Sequence, residues 1–287
     1  MPSRCAARPK CSSSATARNN HRWRTSRKFI MVSIVSAYER VPFFGIYICD
    51  SSAETASSAT LPVPIMTKNS LLDRLASLDS NTVSDALDFL GLPGATFGIR
   101  PLWDCPRIVG RASTIQLGPK TDATPTFHLI TPVIDEIRTD DRVLVIAGGF
   151  EGISCWGDII ANAATAKEIR GSVIDGCSRD IEGSESIGYP VFGRGITMIS
   201  ARNRVAQISS GKQVKFADVV VNEDDYVIAD RCGTVFVPAA RIEETVELGE
   251  RIARRQDGMV KAVRAGRSVA DVMHDKEFEA IYVKEAK

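Results

Sequence analysis

Arg142-Val143-Leu144-Val145-Ile146-Ala147-Gly148-Gly149, a short loop, Gly157-Asp158-Ile159-Ile160 with an alanine-rich run to Arg170, then Gly171-Ser172-Val173-Ile174-Asp175-Gly176-Cys177-Ser178-Arg179-Asp180 is the stretch that decides the fold. Residues 142–147 form a continuous apolar run of strand length, the pattern of a parallel strand buried on both faces. Ile159 to Arg170 has strong helix propensity, with Asp158 as its expected N-cap and Gly171 closing it. Ser172 to Asp175 reads as a second buried strand, and Gly176-Cys177-Ser178 turns it into a further helix from about Asp180 to Gly188. Strand, helix and strand in this order make a right-handed crossover between parallel strands. The expected class is therefore α/β, with a parallel β-α-β unit.

Such units bind ligands beyond the carboxyl ends of their strands, where loops and helix N-termini converge. Both Gly157-Asp158 and Arg179-Asp180 fall at such ends. Glycines at 148, 149, 152 and 157 let the backbone approach a ligand, and the N–H groups of Asp158, Ile159 and Ile160 at a helix start suit a carboxylate or phosphate. Arg179 offers a bidentate grip on a carboxylate, and Asp180 a hard oxygen for Mg²⁺ or Mn²⁺. Taken singly, Asp158 would most often be a cap, Arg179-Asp180 a surface ion pair, and the glycines a turn that matches neither a Walker loop nor a GxGxxG fingerprint. Their convergence on adjacent strand ends is what points to a site.

The rest of the chain narrows the function. Its 36 Lys and Arg against 35 Asp and Glu give a net charge of +1, no overall field for nucleic acid or an anionic membrane. Seven scattered cysteines without a CxxC pair exclude a zinc ribbon, a dithiol centre and a disulfide scaffold, and fit a reducing compartment. Residues 1–38 lack acidic side chains and carry eight Lys and Arg among Ser and Ala, which suits either a transit peptide or a stretch upstream of the true start. Residues 50–64 read as linker, so the folded domain is expected over 66–287, after a basic extension over 1–65. The apolar runs near Phe29–Tyr38 and Phe43–Cys49 are too short to span a bilayer. The expected location is the cytoplasm, or the mitochondrion where the extension acts as a transit peptide.

Flanking elements follow from periodicity. Ser70 with Asp73 resembles a capping pair ahead of Leu71, Leu72, Leu75 and Leu78, and a second helix is expected from Asn81 or Thr82 to Gly91. Ile108 to Leu117 reads as a strand, about Phe127 to Ile137 as a helix, and Arg241 to Arg255 as an amphipathic docking helix. His128 and His274 lack a partner at ligand spacing and are expected to be structural or exposed; Cys177, Trp103 and Trp156 are expected to pack, with Trp156 also a candidate for the pocket wall.

The segments Gly157-Asp158-Ile159-Ile160, Val173 to Asp180, Gly188-Tyr189-Pro190-Val191-Phe192, Ser84-Asp85-Ala86-Leu87 and Tyr226 to Asp230 with Gly233 together resemble the RraA-like family, which includes 4-hydroxy-4-methyl-2-oxoglutarate aldolases and a regulator of ribonuclease E. The likeness runs from about Val83 to Pro238. It implies a swivelling-type β/β/α domain, assembled as a homotrimer or a pair of trimers with sites near subunit boundaries. It further implies that Gly157 to Ile160 hold a substrate carboxylate, Arg179 binds a pyruvyl end, Asp180 holds a divalent metal and Asp158 orients a water. The implied substrate is a 2-keto acid and the implied chemistry a retro-aldol cleavage or an oxaloacetate decarboxylation, both passing through a pyruvate enolate. A non-catalytic regulator of a ribonuclease and a lyase for another sugar-acid-like substrate are the alternatives. The family's aldolases usually carry an acid three positions after the metal-binding aspartate; here Gly183 stands there, between Glu182 and Glu185, which a regular helix turns away by about 100° per residue. Asn222-Glu223-Asp224 replaces the usual Pro-Gly-Asp turn.

Overall fold

The computed structural model describes residues 70–122, 124 and 128–273. The extension expected over 1–65, Phe127 and His274 lie outside these residues. In chain order the elements are α1 (Leu71–Ala76), α2 (Ser80–Phe89), β1 (Arg100–Pro101), β2 (Ile108–Pro119), α3 (Thr131–Glu136), β3 (Arg142–Ala147), β4 (Ser154–Trp156), α4 (Asp158–Ala166), β5 (Gly171–Ile174), β6 (Cys177–Ser178) and α5 (Ile181–Ser186). There follow β7 (Val191–Gly193), β8 (Gly195–Ile196), β9 (Val205–Ser210), β10 (Val214–Phe216), β11 (Val219–Val221), β12 (Tyr226–Ala229), β13 (Thr234–Val237), α6 (Ile242–Arg264) and α7 (Val269–Val272).

The main sheet is mixed and curled, in the order β1-β7-β5-β3-β2-β12-β13, with β9 also on β2. Strands β2, β3, β5 and β7 are parallel, and the others pair antiparallel. The apolar run of β3 is buried on both faces because each face has a layer to meet. Leu144 and Ile146 point into a cluster with Ile134 of α3 and Ile160 and Ala164 of α4. Val143 and Val145 point the other way, into a cluster with Val214, Phe216, Val219 and Val221 of the β10–β11 hairpin. A third cluster packs α1, α2 and α6 over Val109, Ile228, Val235 and Val237. Helices on one side and a hairpin on the other make the β/β/α layering of a swivelling domain.

Helix limits shift for local reasons. Ser70 caps α1 as expected, its hydroxyl accepting from Asp73 N at 3.2 Å. Helix α2 starts at Ser80, earlier than expected, because Asp79 takes the cap and accepts from Thr82 N at 2.7 Å. Helix α3 is shorter than periodicity suggests, since Pro132 belongs in a first turn and cannot sit further inside. Helix α4 stops at Ala166, where Glu168 takes a left-handed φ of 57° and sends Ile169 into the core. Helix α6 runs on to Arg264, well past Arg255.

Strand β2 serves two partners along one edge: β12 over Ile108–Arg111 and β9 over Ile115–Pro119. Between them Thr114, fully buried, would leave its backbone groups unpaired. Glu223 fills this gap, its carboxylate accepting from Thr114 N at 2.7 Å and from Thr114 Oγ1 at 3.0 Å. Gly211 N donates to Thr114 O at 3.0 Å and completes the seal. Asn222-Glu223-Asp224 is thus part of the sheet's hydrogen bonding, and Glu223→Ala is expected to cost about 1–3 kcal/mol through a buried unpaired N–H. Denaturant unfolding measures this, and an unchanged midpoint would remove Glu223 from that role.

Asp230 anchors α2 to the β12–β13 turn. Its carboxylate accepts from Ser80 N (2.8 Å), Ser80 Oγ (2.6 Å) and Cys232 N (2.9 Å). Burial alone would raise its pKa, but these hydrogen bonds outweigh burial and hold it below the ordinary aspartate value. A folded-state pKa below the unfolded one stabilises the protein above about pH 4 and loses that contribution as pH falls through the folded value. Wild type should therefore lose stability more steeply than Asp230→Asn as pH falls below about 4, in thermal melts across the acid range.

Candidate active site

Strands β3 and β5 end side by side, and the chain leaving each enters a second, smaller parallel sheet, β4-β6-β8. Ser154 is in register with Cys177, and Trp156 with Ser178. Arg179 N donates to Trp156 O at 3.1 Å, and Thr197 N to Ser178 O at 2.9 Å. This small sheet was not foreseen from periodicity, because strands of two or three residues carry no pattern. It has a direct consequence: Gly157-Asp158 leaves β4 and Arg179-Asp180 leaves β6 as neighbours. Six of the expected site residues, Gly157, Asp158, Ile159, Ile160, Arg179 and Asp180, are brought to the carboxyl end of the β3–β5 pair.

Two glycines set how closely the segments approach. A Cβ on Gly157 would lie 2.9 Å from Asp180 Oδ2 and 3.4 Å from Arg179 Nε, so the backbone before α4 presses on the Arg179–Asp180 pair. A Cβ on Gly183 would lie 2.6 Å from Asp158 Cβ, so the first turn of α5 presses on Asp158 in return. Glu182 and Glu185 are exposed, turned away from this contact as the helical spacing predicts. Asp180 holds a left-handed backbone, φ 54° and ψ 43°, at the N-cap of α5. That conformation is uncommon outside glycine and tolerated best by Asp and Asn.

One expectation needs correction. Gly157, extended at φ −169°, is the N-cap of α4, and Asp158 is its first helical residue. Asp158 Oδ1 nevertheless accepts from Ile159 N at 2.7 Å, so a ligand carboxylate at this helix start must compete for that N–H. The first-turn N–H groups of Asp158 and Ile160 have no acceptor within the helix. Ile159 points its side chain outward, 78% exposed. Arg179 Nε lies 3.0 Å from Asp180 Oδ2, and the two side chains are 41% and 39% exposed, open to a ligand.

Behind these groups lies a rigid wall. Trp156 is buried and stacks on Tyr189, ring centroids 5.7 Å apart at 12°, so it packs the core and does not line a pocket. Tyr189 Oη and Ser172 Oγ are 2.9 Å apart. Burial pushes the Cys155 thiol up to about 11, which leaves it protonated and inert. Asp175, not singled out from sequence, ties the floor together: Oδ1 accepts from Arg194 Nε at 2.5 Å and Oδ2 from Ala217 N at 2.8 Å. An Asp ending a buried strand was the available signal. His128 Nδ1 accepts from Ile130 N at 3.3 Å, a structural use.

Among the described residues no group of three or more His, Cys, Asp or Glu is placed to hold a metal ion. Among those residues a closed protein cage of the zinc type is therefore not built. One accessible carboxylate, Asp180, suits a hard cation that keeps most of its ligands as water and substrate, as Mg²⁺ does.

A family model described as RraA-like, Aldolase/RraA, matches residues 80–236, more than half of the chain. The chain belongs to the RraA-like family. Protein DlpA of Legionella pneumophila is 30% identical over 213 residues, which are 74% of this chain and 35% of DlpA, so the RraA-like chain spans about a third of that relative. A protein of Halalkalibacterium halodurans named "Putative 4-hydroxy-4-methyl-2-oxoglutarate aldolase" is 24% identical over 192 residues, 67% of this chain and 88% of that one. Among solved structures, an uncharacterized protein of Pseudomonas syringae pv. tomato is 30% identical with TM-score 0.63, covering 70% of this chain and 96% of its own. RraAS2 of Streptomyces coelicolor, described as an unusual member of the RNase ES inhibitor RraA protein family, is 25% identical with TM-score 0.61, covering 68% and 97%.

The contact at Gly157 makes a prediction that needs no substrate. Since its backbone is extended, alanine is conformationally free there and only space opposes it. Gly157→Ala is expected to turn the partly exposed Asp180 carboxylate aside at a cost under about 1 kcal/mol and to shift the Arg179 Nε–H resonance in a ¹⁵N spectrum. An unmoved resonance would separate Gly157 from the ion pair.

Proposed function

We propose that this RraA-like chain is a divalent-metal-dependent lyase that forms a pyruvate enolate from a 2-keto acid. The observation that carries the reading is the packing of Gly157-Asp158 against Arg179-Asp180 at the carboxyl end of two parallel strands, in the arrangement the family resemblance implies. Asp180 would hold the cation, whose contribution when bound is Lewis-acid polarisation of the keto oxygen. The chain's own groups do the rest. Arg179 clamps the carboxylate of the pyruvyl end and places positive charge beside the keto oxygen as it becomes negative. The helix start at Asp158 to Ile160 receives the other carboxylate.

Decarboxylation of oxaloacetate is the reaction these residues support most directly. The C3–C4 bond breaks, CO₂ departs, the electron pair stays as the enolate, and water oriented by Asp158 returns one proton to C3. Retro-aldol cleavage of a 4-hydroxy-4-methyl-2-oxoglutarate-like acid needs, in addition, a base to take the C4 hydroxyl proton. Gly183 supplies none, and Asp158 is the remaining carboxylate for that task. A homotrimer or pair of trimers goes with this reading, and exposed Phe97, Ile196 and Met198 supply apolar surface for it.

A ribonuclease-binding regulator is the second reading, favoured by the likeness to RraAS2. Pyruvate release from oxaloacetate by the full chain, with Mg²⁺, with EDTA and as Asp180→Ala, decides between them against a protein-free metal control. The lyase predicts metal-dependent turnover lost with EDTA and reduced at least about 100-fold in Asp180→Ala. Turnover no faster than the control, from folded protein, moves the regulator to first place.

A further inference from the structure

Position 183 is where the chain departs from the family's aldolases, and the structure shows what the departure does. Gly183 leaves no vacant pocket. Its α-carbon faces Asp158 so closely that an added Cβ would meet Asp158 Cβ at 2.6 Å, with Asp158 Cγ and Oδ2 next at 3.6 Å. Contacts under 3 Å to a Cβ cannot be relieved by turning a flexible tip, because Cβ moves only with its backbone. Any side chain at 183 must therefore push α4 and α5 apart at their first turns, or drag Asp158 away from Ile159 N, to which its Oδ1 is bonded at 2.7 Å.

Resting on the lyase reading above, we propose that Gly183 is a positioning residue for Asp158: its bare α-carbon seats the Asp158 carboxylate for proton transfer at C3, and it limits the site to chemistry that uses this single proton-handling carboxylate. Restoring an acid at 183 does not recreate an aldolase in this chain. It displaces the carboxylate the chain already uses.

The reporting reaction is exchange of the pyruvate methyl hydrogens with D₂O, in which a C3–H bond breaks, the proton passes to water, and the enolate takes a deuteron back. It needs the pyruvyl grip and the proton step but no leaving group. In the full chain with Mg²⁺, Gly183→Ala and Gly183→Asp are each expected to slow exchange about 10- to 100-fold while the KM for pyruvate stays within about threefold, because Arg179 is untouched. A thermal cycle reads the contact without catalysis: Gly183→Ala lowers Tm by about 5 °C, but by under about 2 °C in an Asp158→Gly background, where the opposing Cβ is gone. Wild type that neither exchanges nor decarboxylates defeats the lyase reading. The Gly183 assignment falls on other results: exchange in Gly183→Asp equal to or above wild type, or equal Tm losses in the two backgrounds.

Discussion

A backbone N–H buried in the middle of a sheet must find an acceptor, and strand β2 meets that requirement in an unusual way. It carries twelve residues through the sheet and is too long for any one neighbour on its outer edge. Two strands share that edge, and the carboxylate of Glu223 bridges the interval at Thr114. An unpaired donor there would cost about as much as one or two good packing contacts. With the edge sealed, β2 can hold β3 in six-residue parallel register, and β3 can hold β5. The position of every site residue descends from that register, since both site segments leave the ends of β3 and β5.

At those ends, distance is controlled by missing side chains. Gly157 admits the Arg179–Asp180 pair, and Gly183 admits Asp158. Each segment therefore contributes functional groups and the space for the other's groups, so the two cannot vary independently. The small β4-β6-β8 sheet locks the arrangement with backbone hydrogen bonds, and Asp175 with Arg194 and Ala217 holds its floor. Such a site is preorganised by backbone, which moves less than side chains do, and this suits catalysis by positioning.

What was legible in the sequence had long or repeated signals. Five apolar residues at 143–147 announced a doubly buried strand, and the alternation of Leu144 and Ile146 against Val143 and Val145 between two clusters shows why no polar residue interrupts them. That Gly157-Asp158 and Arg179-Asp180 would lie side by side was legible because strand ends and helix starts coincide there. Illegible were features made by tertiary contact alone: the two- and three-residue strands, the bridging role of Glu223, and the partner of Gly183. Helix ends failed where a competing backbone demand took over, as at Glu168, whose left-handed turn serves the burial of Ile169. Asp158 was placed one position off because an Asp beside a glycine reads as the cap, yet its carboxylate accepts from Ile159 N and so has a cap-like function from inside the helix.

The economy of the site bears on its chemistry. On the proposed reading, with Asp180 for a cation and Asp158 for a proton, the cation would take its other ligands from water and substrate. Its affinity then depends on the substrate, and the substrate's affinity on it, by linkage. A 2-keto acid would supply two adjacent oxygens for such a partnership, one from its carboxylate and one from its keto group, whereas a lone hydroxyl would supply one. Arg179 and Asp180 pair at 3.0 Å with both side chains partly open to solvent, and on the proposed reading a ligand with both a carboxylate and a polarisable carbonyl would separate them. On that reading selectivity would come from needing both groups at once, since a ligand that satisfies only the guanidinium would leave the carboxylate of Asp180 unpaired.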